Sequence, residues 1–93
     1  MAIKNRITAA TFDVADVAAF LKKNGIAVKK TTPMSEDEDA AVVLNDLVHV
    51  QVGYGYAVVN YWTNKKKDTM MMGVERTTLD AKLLADIKKA LKK

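Results

Sequence analysis

The chain has no cysteine, one histidine (His49) and one proline (Pro33). Without cysteine there is neither a disulfide framework nor a thiolate metal site. With a single histidine, the best metal pair is His49 with Asp46, and two ligands do not make a site. The opening stretch, MAIKNRITAATFD, lacks the apolar core of a signal peptide, and no stretch approaches the roughly 20 apolar residues that span a bilayer. A soluble cytoplasmic protein with no membrane contact is therefore expected. Aromatic residues make up only 6% of the chain, so each one that is present matters.

What is present is ordinary for a folded protein. Ninety-three residues, 49% of them apolar and 28% charged, fit one domain spanning 1–93. A chain this short buries only about 60% of its unfolded surface and folds with little reserve. The net charge of +4 makes a polyanion conceivable as a partner, but the placement of the charge counts for more than its sum.

The most informative pattern is an alternation. Val48, Val50 and Val52 alternate with His49 and Gln51, Ala57, Val59 and Tyr61 follow, and then Met70, Met72 and Val74. A turn at Tyr54-Gly55 sets Val52 against Ala57, Val50 against Val59 and Val48 against Tyr61. A second turn at Asn64 to Lys67 sets Tyr61 against Met70, Val59 against Met72 and Ala57 against Val74. Because side chains repeat every two residues, a one-residue slip exchanges the faces. Agreement along the whole set predicts an antiparallel meander. Ala40 to Leu44 reads as a further strand, with a two-residue turn at Asn45-Asp46 placing Val43 opposite Val48 and Ala41 opposite Val50. Ile26 to Thr31 reads as a short edge strand guarded by lysine.

Two helices flank these strands. Val14, Val17, Ala18 and Leu21 fall on one face of a helix over Thr11 to Asn24, capped by Thr11 or Asp13 and stopped by Gly25. Leu83, Leu84, Ile87 and Leu91 form the stripe of a second helix over Leu79 to Leu91, with Thr77 or Thr78 as its cap. Between helix and sheet, Thr32 to Asp39 is the least ordered piece, and Ser35 with Glu38 matches a capping box there. The fold class is α+β: an antiparallel meander of four to five strands between an N-terminal and a C-terminal helix, in two layers.

The second face of the sheet is the functional candidate. Parity places Val42, Leu44, Leu47, His49, Gln51, Tyr56, Val58, Asn60, Trp62, Thr69, Met71 and Glu75 there. A solvated face of an antiparallel sheet is normally polar, whereas half of this one is apolar and two of its side chains are large aromatics. Such an area exceeds what monomers usually leave bare. Either the first helix or the rim covers it, or it meets a second copy or another protein. The residues expected to make that contact are Tyr56, Val58, Trp62 and Met71, with His49 and Asn60 giving polar specificity. The leading expectation is a non-enzymatic interaction module (an adaptor, inhibitor or chaperone-like partner) that forms a homodimer.

The alternative is a nucleic-acid binder using Lys65, Lys66 and Lys67 with Lys88, Lys89, Lys92 and Lys93, which requires the loop and the end of the last helix to converge. None of the 15 basic residues falls clearly on the aromatic face, and the RNA-recognition signature is missing. A lysine-rich loop and tail are more often solvated surface. His49, in a strand beside Gln51 and Asn60, suits a hydrogen-bonded polar role better than a general base. The acidic run Glu36 to Asp39 lacks the ligand spacing and turn glycine of a calcium loop. No nucleophile, base and orienting group assemble into a catalytic motif, and no cofactor is expected.

Overall fold

A computed structural model describes residues 13–36, 39–53 and 56–92. The elements in order are α1 (Val14–Lys23), β1 (Lys30–Thr32), β2 (Ala40–Val43), β3 (Val48–Gly53), β4 (Tyr56–Trp62), β5 (Met70–Met72) and α2 (Ala81–Leu91). All five strands pair antiparallel in chain order, β1-β2-β3-β4-β5, with β1 at one edge.

Both ends of α1 follow from local chemistry. The Asp13 carboxylate accepts from the backbone N–H groups of Ala15 and Asp16 at 3.0 and 3.1 Å. In return, the Asp16 carboxylate accepts from the Asp13 N–H at 2.9 Å, completing a capping box. At the far end Gly25 adopts φ +82°, a conformation that costs other residues a steric penalty. The Ile26 N–H then reaches back to the Leu21 carbonyl at 2.9 Å and the Gly25 N–H to Lys22 at 3.1 Å, the Schellman arrangement, with Ile26 buried in the core. Helix α2 starts on Asp80, whose side chain accepts from the Lys82 N–H. Neither Thr77 nor Thr78 is the cap. The Thr78 hydroxyl instead donates to Asp80 at 2.7 Å and orients the cap. Thr11, Glu38 and the Tyr54-Gly55 turn lie outside the described residues.

The β3–β4 register is the one the alternation predicts, with Val52 opposite Ala57, Val50 opposite Val59 and Val48 opposite Tyr61. The two neighbouring registers differ from expectation by one residue, and each difference exchanges faces. Between β2 and β3, Val42 pairs with Val50 and Val43 with His49. The cause is Asn45, whose side-chain oxygen accepts from the N–H groups of Leu47 and Val48 at 2.7 and 2.9 Å. This Asx turn lengthens the connection beyond two residues. Ala40, Val42 and Leu44 therefore enter the core, and Ala41 and Val43 take the other face.

Between β4 and β5, Tyr61 meets Met71, Trp62 meets Met70 and Asn60 meets Met72. The loop does turn at Asn64 to Lys67, where the Lys67 N–H donates to the Asn64 carbonyl. It closes only where the Thr63 N–H reaches Thr69, one residue later than the predicted pairing needs. After β5 the Gly73 N–H bonds to Val59, and pairing resumes with Ala57 against Arg76, one residue out of step. This is a bulge. A Cβ on Gly73 would stand 3.2 Å from the Val59 carbonyl oxygen, which favours glycine where the strands approach. Val74, expected to be inward, is 61% exposed.

Both helices pack on the same side of the sheet. Val17, Ala18, Phe20 and Leu21 of α1 and Leu83, Leu84, Ile87 and Ala90 of α2 share one cluster with Ala40, Val42, Val48, Val50, Val52, Ala57 and Val59. The Arg76 guanidinium fastens the end of the meander to α2 with a two-pronged bond to Asp86, at 2.7 and 3.0 Å. Among the described residues no helix is long and apolar enough to cross a membrane.

Candidate interaction face

With both helices on one side, the opposite face of the sheet is formed by side chains in cross-strand rows. Cross-strand partners define one row as Lys30, Val43, His49, Asn60 and Met72, and a second as Thr32, Ala41, Gln51 and Val58. Trp62 with Met70 lies toward one end, and Tyr56 opposite Gly53 toward the other. Six residues of extended strand set Trp62 and Tyr56 about 20 Å apart. Tyr56, His49, Gln51 and Trp62 are half-buried, while Met70 and Met72 are 48% and 61% exposed.

Of the six residues expected to form a contact, five lie on this face, namely Tyr56, Val58, Trp62, His49 and Asn60. Met71 does not. Its pairing with Tyr61 turns it to the helix side, and Met70 and Met72 take its place. Val58 is 2% exposed, so it forms the floor of the face rather than its contact surface. It is a short side chain between Tyr56 and Asn60 along one strand face.

The lysines are the second correction. Register puts Lys30 on this face, and the Lys67 ammonium stands 4.9 Å from the centre of the Trp62 ring. Lys67 reaches that position from a left-handed backbone conformation, φ +57°. Lys65 lines a cleft of about 250 Å³ together with Ala90 and Leu91, while none of the α2 lysines lines it. Lys66, Lys88, Lys89 and Lys92 are exposed, and Lys93 lies outside the described residues.

A polar relay crosses the face. The Asn60 Nδ2 donates to the Gln51 Oε1 at 2.8 Å, and the Gln51 Nε2 donates to the Asp39 Oδ2 at 2.5 Å. The Tyr56 hydroxyl lies 3.3 Å from the same oxygen. Tyr56 reaches it by lying across Gly53, where any Cβ would stand 2.3 Å from the phenol ring. Since an ionised carboxylate only accepts, it fixes the orientation of both amides in turn. The Asn60 Oδ1 is left without a partner, in a residue only 7% exposed. Nearby, the rings of His49 and Trp62 meet edge to face, with centroids 4.8 Å apart and planes at 74°.

Two titratable groups reveal opposite fields at the two ends. Burial holds the His49 imidazole below its usual pKa, and the ammonium groups of Lys67 and Lys30 add to this against a smaller opposing pull from Asp46. The Tyr56 phenol is pushed up, first by the charge of Asp39 and then by burial, the Asp39 hydrogen bond and Glu75. Lysine charge therefore bears on His49 near Trp62, where Asp46 partly offsets it, and carboxylate charge bears on Tyr56. Asp46, though exposed, is held below the ordinary carboxylate range by its 2.8 Å bond to Lys29. No group of three or more histidine, aspartate or glutamate side chains that could hold a metal ion comes together among the described residues.

Asp39 and Lys67 carried no sequence signal for membership of this face, because both depend on loop geometry, whereas Lys30 is placed by the β1–β2 register. Gln51 was legible from strand parity alone. Comparison with protein families, curated proteins and solved structures found no match to the chain.

Proposed function

We propose that this protein is a non-enzymatic interaction module that self-associates through the open face of its sheet. The observation behind this reading is the packing of both helices on one side, which leaves Trp62, Met70, Met72 and Tyr56 on a face that no helix or strand of the described residues covers. Apolar surface of this kind is stabilised by removal from water, at about 25 cal/mol per Å².

A second copy suits the face because the charge pattern is self-complementary. A two-fold axis lying between two such sheets and running across their strands sets the Lys30–Lys67 end of one copy over the Asp39–Glu75 end of the other. Five strands of three to seven residues, spaced about 4.8 Å apart, give a footprint of roughly 350–400 Å² per copy. The two copies together bury roughly 750 Å², below the size of a stable specific interface, so the dimer is weak and forms at high protein concentration.

Trp62→Ala is expected to weaken association at least tenfold while leaving helix content unchanged in far-ultraviolet circular dichroism. A stronger test uses charge reversal. Lys67→Glu and Glu75→Lys should each reduce self-association, and mixing the two variants should restore it as a heterodimer. If mixing restores nothing, the proposed axis is wrong.

A second reading, nucleic-acid binding, draws support from the approach of Lys65 to the end of α2 and from Lys67 beside Trp62. Base stacking on an aromatic next to a cation is a common way to hold single strands. Asp39 and Glu75 at the other end of the face weigh against a strand running its full length. Binding of an oligonucleotide that does not weaken with added salt would eliminate this reading.

A further inference from the structure

Met70 and Met72 share the open face with the chain's single histidine, and register fixes how the three stand. His49 on β3 pairs with Asn60 on β4, which pairs with Met72 on β5, so the imidazole and the Met72 thioether flank Asn60 from opposite sides. Met70 pairs with Trp62 and lies two residues along β5 from Met72, on the same face. Two strand spacings put the Cα atoms of His49 and Met72 about 10 Å apart. With metal bonds of about 2 Å on each side, each side chain has about 3 Å to cover laterally, within the length of an imidazole or a thioether. The space above Asn60 is open: His49, Asn60 and Met70 line one cavity of about 580 Å³, and Met34 adds a further thioether to its wall.

We propose that the thioethers of Met70 and Met72 and the imidazole of His49 bind one copper(I) ion above Asn60. Packing within the chain does not account for these methionines, since Met70, Met71 and Met72 are all exposed. Thioether sulfur is a soft donor that selects copper(I), and imidazole suits copper as well. Zinc takes thiolates, several imidazoles or carboxylates, and no such trio of histidine, aspartate and glutamate exists among the described residues. The ammonium groups that act on His49 come from Lys67 and Lys30, which do not line this cavity, whereas its charged lining residues, Glu36 and Asp39, favour a cation. Met71, on the helix side of the same strand, takes no part. The site is complete within one chain and does not depend on self-association.

The test titrates the protein at micromolar concentration, where the weak dimer is dissociated, with silver(I) and, under ascorbate, with copper(I). Quenching of Trp62, the only tryptophan in the chain, reports binding, and competition with bicinchoninate gives the copper(I) affinity. One ion per chain is expected, with a shift of the His49 ring protons. Met70→Leu, Met72→Leu and His49→Phe should each weaken binding about tenfold or more, because each removes a donor atom while keeping similar bulk. Circular dichroism checks that these variants fold. Met71→Leu should bind like the unaltered protein. Silence with both ions overturns the proposal, and so does full binding in the three donor variants or an equal loss in Met71→Leu. Zinc(II) binding as tight as copper(I) overturns it too, because harder ligands would then hold the metal. Light scattering separates the two ideas: a chain that binds copper(I) and never dimerises sinks only self-association, and a dimer that ignores copper(I) sinks only the metal site.

Discussion

Asn60→Leu should make the protein more stable, a direction opposite to that of most substitutions at buried positions. Asn60 is 7% exposed, donates one hydrogen bond to Gln51 at 2.8 Å and leaves its Oδ1 without a partner. Leucine removes the unmet acceptor, a gain of about 1–3 kcal/mol, and forfeits one hydrogen bond of about 0.5–1.5 kcal/mol. The Gln51 Oε1 released by the change belongs to a half-buried residue that water reaches. Leucine has the same side-chain branching as asparagine and somewhat greater bulk, so no cavity opens. The net expectation is a gain of about 1 kcal/mol, or a rise of about 4–8 °C in Tm for a domain of this length. Thermal and urea unfolding, followed by circular dichroism, would measure it at unchanged m-value. A fall in stability of 1 kcal/mol or more would mean that the Oδ1 is satisfied in solution.

Three further outcomes follow from the same geometry. Asn45→Ala removes the two bonds that set the β2–β3 register, and in an exposed loop this should cost about 1–2 kcal/mol in urea unfolding. A loss under 0.3 kcal/mol would show that strand patterning alone holds the register. Leu83→Ala, at a position with no exposure between α2 and the sheet, should cost about 2–5 kcal/mol, and a loss under 1 kcal/mol would place α2 elsewhere. Proton resonances of His49 should titrate with a midpoint below 6.5, and Lys67→Gln should raise that midpoint toward the ordinary value. Because the folded pKa is the lower one, the unfolded chain binds more protons between the two values. The stability contributed by neutral His49 is therefore present above pH 6.5 and lost as pH falls through the folded pKa. A midpoint above 6.5 would contradict the basic character of that end.

Element types and the central hairpin were readable because they rest on local rules. Alternating valines on both sides of Tyr54-Gly55 leave one register that keeps Val48, Val50 and Val59 inward, and that register is observed. Asp13, Gly25 and the leucine stripe of α2 likewise act on residues within a turn or two of themselves. The two misplaced registers were not readable for the same physical reason. Ala41 and Val43 fit the inner face as well as Ala40 and Val42, and Met70 and Met72 as well as Met71. Hydrophobicity could not arbitrate, and the loops decided, through the Asn45 side chain and the closing bond from Thr63 to Thr69. Helix placement followed from neither. The relay from Asn60 to Asp39 joins residues up to 21 positions apart in sequence and needs the folded sheet to exist.

Sedimentation of the unaltered protein across tens of micromolar to about millimolar concentration puts the question of the open face most directly. Self-association through that face predicts a weight-average mass that climbs from that of one chain toward that of two, with the climb shifted to higher concentration in Trp62→Ala. A mass that stays at one chain over the whole range would leave the exposed methionines and Trp62 without a second copy to cover them, and the proposed dimer would fall.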